Sequence, residues 1–184
     1  MKKIHLILAL MVMTFGVLTA NAVTNTPRGS FDELSSVTKF NVEVDWSQLS
    51  INGLTPEEWV RFRNAEQPQY DAEEELEREL KMRWVEMITE ANDKLNKKHY
   101  YLFADDEYIY DYTLVVQPIH IDKKGNQLVL CIIKHEADDR EVVRFSVNGR
   151  GGVFGTMSNL WGDGFRSSGK AMAKMLIKYL PKKK

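Results

Sequence analysis

Residues 110–148, YDYTLVVQPIHIDKKGNQLVLCIIKHEADDREVVRFSVN, decide the fold class. They hold three apolar runs separated by two polar turns, the pattern of consecutive strands. In the first run, 110–121, Tyr112, Leu114, Val116, Pro118 and His120 share one face. Thr113, Val115, Gln117, Ile119 and Ile121 make the other, so both faces read as partly buried. Pro118 cannot donate to a ladder, which points to an edge strand or a bulge. Asp122-Lys123-Lys124-Gly125-Asn126 reads as a hairpin loop with a glycine for a left-handed residue. The run 127–135 is the most apolar and is expected at the centre of the sheet. A turn over 136–140 leads into a last strand, 141–148, through Val142, Val143, Phe145 and Val147.

Upstream, Phe40, Val42, Val44 and Trp46 alternate with Asn41, Glu43 and Asp45, the period of a half-buried strand. Asn52-Gly53 marks a turn. Thr55, Pro56 and Glu58 then supply an N-cap, a first-turn proline and a capping box for a short helix with Trp59, Val60 and Phe62 on its apolar side. Gln67-Pro68-Gln69 interrupts it. A long helix is expected over 71–97, because Leu76, Leu80, Trp84, Met87, Ile88, Ala91 and Leu95 recur at helical spacing. Acids crowd its start and lysines its end, as the helix dipole favours. Residues 99–103 form a short aromatic strand. Helices and strands are thus segregated along the chain, which predicts an α+β fold. The expected form is a mostly antiparallel sheet of four to five strands with two helices packed on one face.

The 184 residues, 43% hydrophobic, suit one domain, placed at 38–181. Residues 1–22 read as a cleavable signal peptide: Lys2 and Lys3, an apolar run over 4–18, then Ala20-Asn21-Ala22. A flexible leader, 23–37, is expected to follow, and 182–184 form a basic tail. Loss of 1–22 removes two lysines and no acid, moving the formal charge from −1 to −3. That balance argues against nucleic-acid binding. Cys131 is the single cysteine and lies in an apolar run, so neither a disulfide nor a lipid anchor is expected. The expected destination is the periplasm or the exterior.

Gly164 to Ala171, GFRSSGKA, fits the spacing of a phosphate loop. Ala171 stands where Ser or Thr should bind magnesium, and too little chain follows for a metal-binding aspartate. No nucleotide or other cofactor is therefore expected. His99, His120 and His135 match no zinc spacing. His120 and His135 flank the hairpin loop, and their meeting across it would offer a metal or proton-shuttle pair. The acidic turns Asp105-Asp106-Glu107 and Asp138-Asp139 lack a calcium loop. No serine sits in a nucleophile elbow. No metal site or catalytic residue is assigned, and a hydrolase using His120 or His135 with a loop aspartate stays as an alternative.

The glycine-rich stretch Gly149 to Gly164 is expected to be a loop carrying Phe154 and Trp161 among its glycines. In the terminal helix Phe165, Met172, Met175, Leu176, Tyr179 and Leu180 form a stripe. Arg166, Lys170, Lys174 and Lys178 lie opposite. Such a helix either packs its stripe on the core with a solvated basic face, or sits on anionic lipid or an acidic partner. Phe154, Trp161, Arg166, Lys170, Lys174 and Lys178 together make the expected partner surface, facing an envelope protein or an anionic membrane surface.

The stretch GGVFG…NLWGDGFRSSGK, 151–170, resembles the C-termini of small secreted Bacteroidetes-type proteins of unknown function. The likeness covers about 40–180. The element order and the strand Tyr112-Thr113-Leu114-Val115-Val116 are more distantly similar to periplasmic α/β domains. These are the N-terminal domain of the Tol-system translocation protein and the curli secretion factor. The resemblance implies a binding or scaffold role in the cell envelope, and no catalytic residues.

Overall fold

The structure, a computed structural model, describes residues 26–104 and 109–181. The expected signal segment, the first residues of the leader, the Asp105-Asp106-Glu107 turn and the basic tail lie outside the described residues.

Three long strands follow the expected meander: β5 (Tyr112–Ile121), β6 (Gln127–His135) and β7 (Arg140–Gly149), paired antiparallel. Before them come β1 (Arg28–Gly29), β2 (Lys39–Val44), β3 (Ser50–Ile51) and β4 (Tyr101–Phe103). The fold class is α+β, but the sheet differs from expectation. Among the described residues it has seven strands, ordered β1-β7-β6-β5-β2-β4, with β3 also on β5. It is mixed, since β2 runs parallel to both β4 and β5, and β3 parallel to β5. The physical reason lies in the connection. Parallel neighbours need a crossover, and the helices between β3 and β4 provide it. Alternation along β2 carries no trace of strand direction.

Pro118 shows how the long strand tolerates a missing donor. It lies in β5, an interior strand. The register with β6 slips between Pro118 and His120, and β2 ends opposite Val116 while β3 resumes opposite His120. The proline therefore meets a bulge on one side and a gap between strands on the other. The intervening chain leaves the sheet and sends Trp46 onto Phe165, with ring centroids 6.3 Å apart.

Among the described residues the α-helices longer than one turn number three, against the two expected on the sheet. Helix α1 (Pro56–Glu66) starts with the expected capping box: Thr55 Oγ1 accepts from Glu58 N at 3.2 Å, and Glu58 accepts from Thr55 N at 3.0 Å. The long helix is broken. A short α2 (Ala72–Glu74) runs into a π-helical turn over Glu75–Leu80, a tight turn over Lys81–Arg83, and then α3 (Trp84–Leu95). The wider turn keeps both Leu76 and Leu80 buried ahead of Met87, Ile88, Ala91 and Leu95.

Helix α4 (Met157–Tyr179) starts well before the expected position, capped by Thr156. It takes in Trp161, Gly162 and Gly164, which sequence reading assigns to a loop. Packing overrides glycine's poor helix propensity here. A side chain at Gly164 would stand 1.9 Å from Gly125 O, and one at Gly169 2.1 Å from Met87 O. The two glycines let α4 lie directly against the β5–β6 loop and against α3. The same finding ends the resemblance to a phosphate loop, because 164–170 is helix rather than loop.

The core lies between the helices and one face of the sheet. Phe40, Leu114, Val116, Cys131, Ile133, Phe145 and Val147 meet Trp59, Met87, Trp161, Phe165 and Leu176 there. The described part of the expected leader joins it. Phe31 and Leu34 are buried, and Phe31 stacks on Tyr179 at 5.6 Å.

Candidate partner-binding surface

The chain between β7 and α4 is tied down at both ends. Arg150 N donates to Ser167 Oγ at 2.9 Å, and Gly151 N donates to Asn126 Oδ1 at 3.0 Å. At the far end Gly155 takes a positive φ of 127° and Thr156 Oγ1 accepts from Asn159 N. Between the anchors Val153 and Phe154 stand 75% and 90% exposed. Single exposed hydrophobes are ordinary. Two adjacent ones on a braced tip form the most prominent apolar feature of this end of the molecule.

The other expected contacts are divided. Trp161 is fully buried, 5.8 Å from the Trp59 ring, and its Nε1 has no partner among the described residues. It is a core residue, because α4 begins before it and turns it inward, so it drops out of the surface. Arg166 is bound to Glu86 and Asp163, which hold its guanidinium above the usual arginine range, Asp163 most strongly. Lys170 lies 3.4 Å from Glu90. The acidic side of α3 thus neutralises the first half of the basic stripe. Lys174 and Lys178 stay exposed, the latter 4.7 Å from the centroid of the Tyr179 ring.

Beside the loop opens a cleft of about 1070 Å³ between the end of α1, the π-helical turn and the start of α4. Sequence reading missed it, since its walls come from three separate segments. Tyr70 stands on its rim with Arg63 5.3 Å from the ring centroid. Arg63 is held by Glu75 at 3.1 Å, while Arg83 bonds Glu79, Glu86 and Ser158. Glu79 also accepts from Ser158. The charged groups of this wall are largely engaged with one another. Ser158 accepts from Arg83 and donates to Glu79, which is itself paired with Arg83, and no described histidine lines the cleft.

The histidines do not meet. His120 lies opposite Leu128 in the hairpin and His135 opposite Tyr112, at the two ends of the β5–β6 pair. His120 Nδ1 is 2.9 Å from Ser50 Oγ, which also donates to Ile119 O. Asp122 is occupied with Lys124 N, Asn126 N and the Asn126 side chain. His135 Nδ1 contacts the exposed Asp138 at 2.9 Å and lowers that carboxyl. Neither histidine lines the cleft. Among the described residues no three His, Cys, Asp or Glu side chains converge to hold a metal. Burial raises the Cys131 thiol far above its usual range. Among the described residues no helix is long and apolar enough to cross a membrane.

No family model and no curated protein matches the sequence. The chain is similar to a solved structure described as an uncharacterized protein, at 11% identity and a TM-score of 0.34, covering 49% of this chain. It spans 61% of that protein's length. It is also similar to protein XCC0632 from Xanthomonas campestris, of the DUF330 family model, at 11% identity and a TM-score of 0.33 over 83% of this chain and 90% of that one. The resemblance to secreted Bacteroidetes-type proteins and to the Tol-system and curli domains gains no support from either.

Proposed function

We propose that this chain is a non-catalytic binding protein of the cell envelope, secreted or periplasmic once residues 1–22 are removed. Its contact is the loop tip Val153–Phe154 together with the adjoining cleft rim at Tyr70. One observation carries this reading: a loop hydrogen-bonded at both ends holds two apolar side chains in water at 75% and 90% exposure. Braced exposure of that kind lowers the ordering cost of binding. Chemistry has less to stand on. No described histidine lines the cleft, and Ser158 there is tied between Arg83 and Glu79.

Attachment to a lipid surface through α4 is the second reading, and it rests on exposed Lys174 and Lys178. Phe165, Met172 and Leu176 are buried in the core, so the apolar stripe that would enter a bilayer is already used. Only lysines remain for lipid.

A photo-crosslinking residue placed at Phe154, in cells that produce the protein, should trap one discrete envelope adduct. The same residue at exposed Lys97 should trap none. Equal products at the two positions, or none at Phe154, would sink the proposal. Flotation with anionic and neutral liposomes tests the lipid reading, which requires capture by the anionic set alone.

A further inference from the structure

Among the described residues the helices pack on one face of the sheet; the other is only partly covered, with Thr113, Val115 and Ser146 buried on it. Its side chains alternate with the core set. Val115 is 8% exposed yet packs outside the main core, and Leu128, Leu130 and Ile132 are half-buried around it. The strand register places Arg28, Arg144, Ile132, Val115 and Glu43 side by side in one row across β1, β7, β6, β5 and β2. The row is basic at one end, apolar in the middle and acidic at the other. Its two apolar members, Ile132 and Val115, straddle the midpoint of the six-strand path β1-β7-β6-β5-β2-β4.

We propose that this face is where two copies of the chain stack, sheet on sheet, about a twofold axis running along the strands between β5 and β6. Such an axis reverses the row. It sets Val115 against the partner's Ile132, and Glu43 against the partner's Arg144. Stacked sheets lie about 10 Å apart, a spacing these side chains span. Within one chain Glu43 and Arg144 are three strand spacings, roughly 14 Å, apart. Arg144 is held there by Glu141 but keeps 41% of its side chain exposed. Reversal by the twofold brings these opposite charges together, as an isologous contact requires, beside the Glu141 and Lys134 that Arg144 and Glu43 already face in their own chain. In the next row Lys134, held at 2.8 Å by Asp139, would face the partner's Thr113, whose hydroxyl donates to Glu136. The proposal does not depend on the Val153–Phe154 reading. If both hold, a dimer presents two such tips to a partner and gains avidity.

Sedimentation velocity on the purified protein tests it. A monomer–dimer equilibrium in the micromolar range is expected, weakening with salt. Ile132→Glu should abolish the dimer. Glu43→Arg and Arg144→Glu should each weaken association by about tenfold or more, and the double reversal in one chain should restore it to within about threefold. Far-UV circular dichroism and Tm check that each variant is folded. A chain that is monomeric at about 200 μM, where any such contact would register, overturns the proposal and leaves the face to another partner. A dimer indifferent to Ile132→Glu, or a double reversal no better than the single ones, overturns it too.

Discussion

The two faces of the sheet are made from the same alternating strands, yet one is sealed and the other only partly covered. Beneath the helices, Val116, Cys131, Ile133 and Phe145 lose essentially all contact with water. On the reverse, Ile132 and Leu130 are only half-buried, with Glu43 and Arg144 at the sides of the patch. Alternation alone does not tell these sets apart. The difference comes from the closeness of the helical layer, which glycines in α4 permit, and it teaches that burial here is set by what lands on a face.

Breaking the sealed face should cost most. Trp161→Ala removes a fully buried indole from its seat against Trp59, and a loss of about 3–5 kcal/mol is expected in urea unfolding. A loss below about 1 kcal/mol would mean that the site collapses freely.

The sharpest contrast is between adjacent residues. Ile133→Ala should cost about 2–5 kcal/mol, and Ile132→Ala below about 1 kcal/mol at concentrations where the chain is monomeric. Equal costs would erase the distinction between the faces.

Gly169→Ala probes the helix seat itself. Its new Cβ would meet the Met87 carbonyl, so about 1–3 kcal/mol of strain is expected, offset by up to about 1 kcal/mol of helix propensity. Net stabilisation would show that α4 can lift off α3 without penalty.

The smallest effect concerns pH. Burial pulls the Asp122 carboxyl upward, but the Asn126 side chain and the N–H groups of Asn126 and Lys124 outweigh it and hold it below its ordinary 3.8. A depressed carboxyl stabilises above the unfolded value and loses that contribution as pH falls through the folded one. Asp122→Asn should therefore lower stability slightly near neutrality, with the gap to the natural chain closing and the acid limb flattening below about pH 4. An unchanged acid limb would remove the hairpin loop from the list of acid-sensitive elements.

Much of the meander was legible because local chemistry controls it. The β5–β6 hairpin, the Thr55–Glu58 capping box and the irregularity at Pro118 each depend on residues close in sequence. The candidate surface was legible in part. Phe154 stands out in both readings, and Lys174 and Lys178 stay exposed. Trp161 changed sides because its neighbours Gly162 and Gly164, which look like loop residues, are helical, Gly162 seated against Glu86 and Gly164 against Gly125 and the β6 side chain Gln127. Asp163 lies within local reach of Arg166, but Glu86 and Glu90, which face Arg166 and Lys170 from α3, are some 80 positions away, beyond any local pattern.

By itself the sequence determined the α+β class, the three-strand meander, the caps and the polarity of the long helical segment, all consequences of residue period and short-range hydrogen bonding. Only tertiary structure decided that β2 lies parallel to β5, that α4 starts at Met157, that Phe31 and Leu34 are core, and that one sheet face is only partly covered. Strand direction, glycine seats and layer coverage depend on pairs of segments distant along the chain, and the free energy of their contact outweighs the local preference of either one.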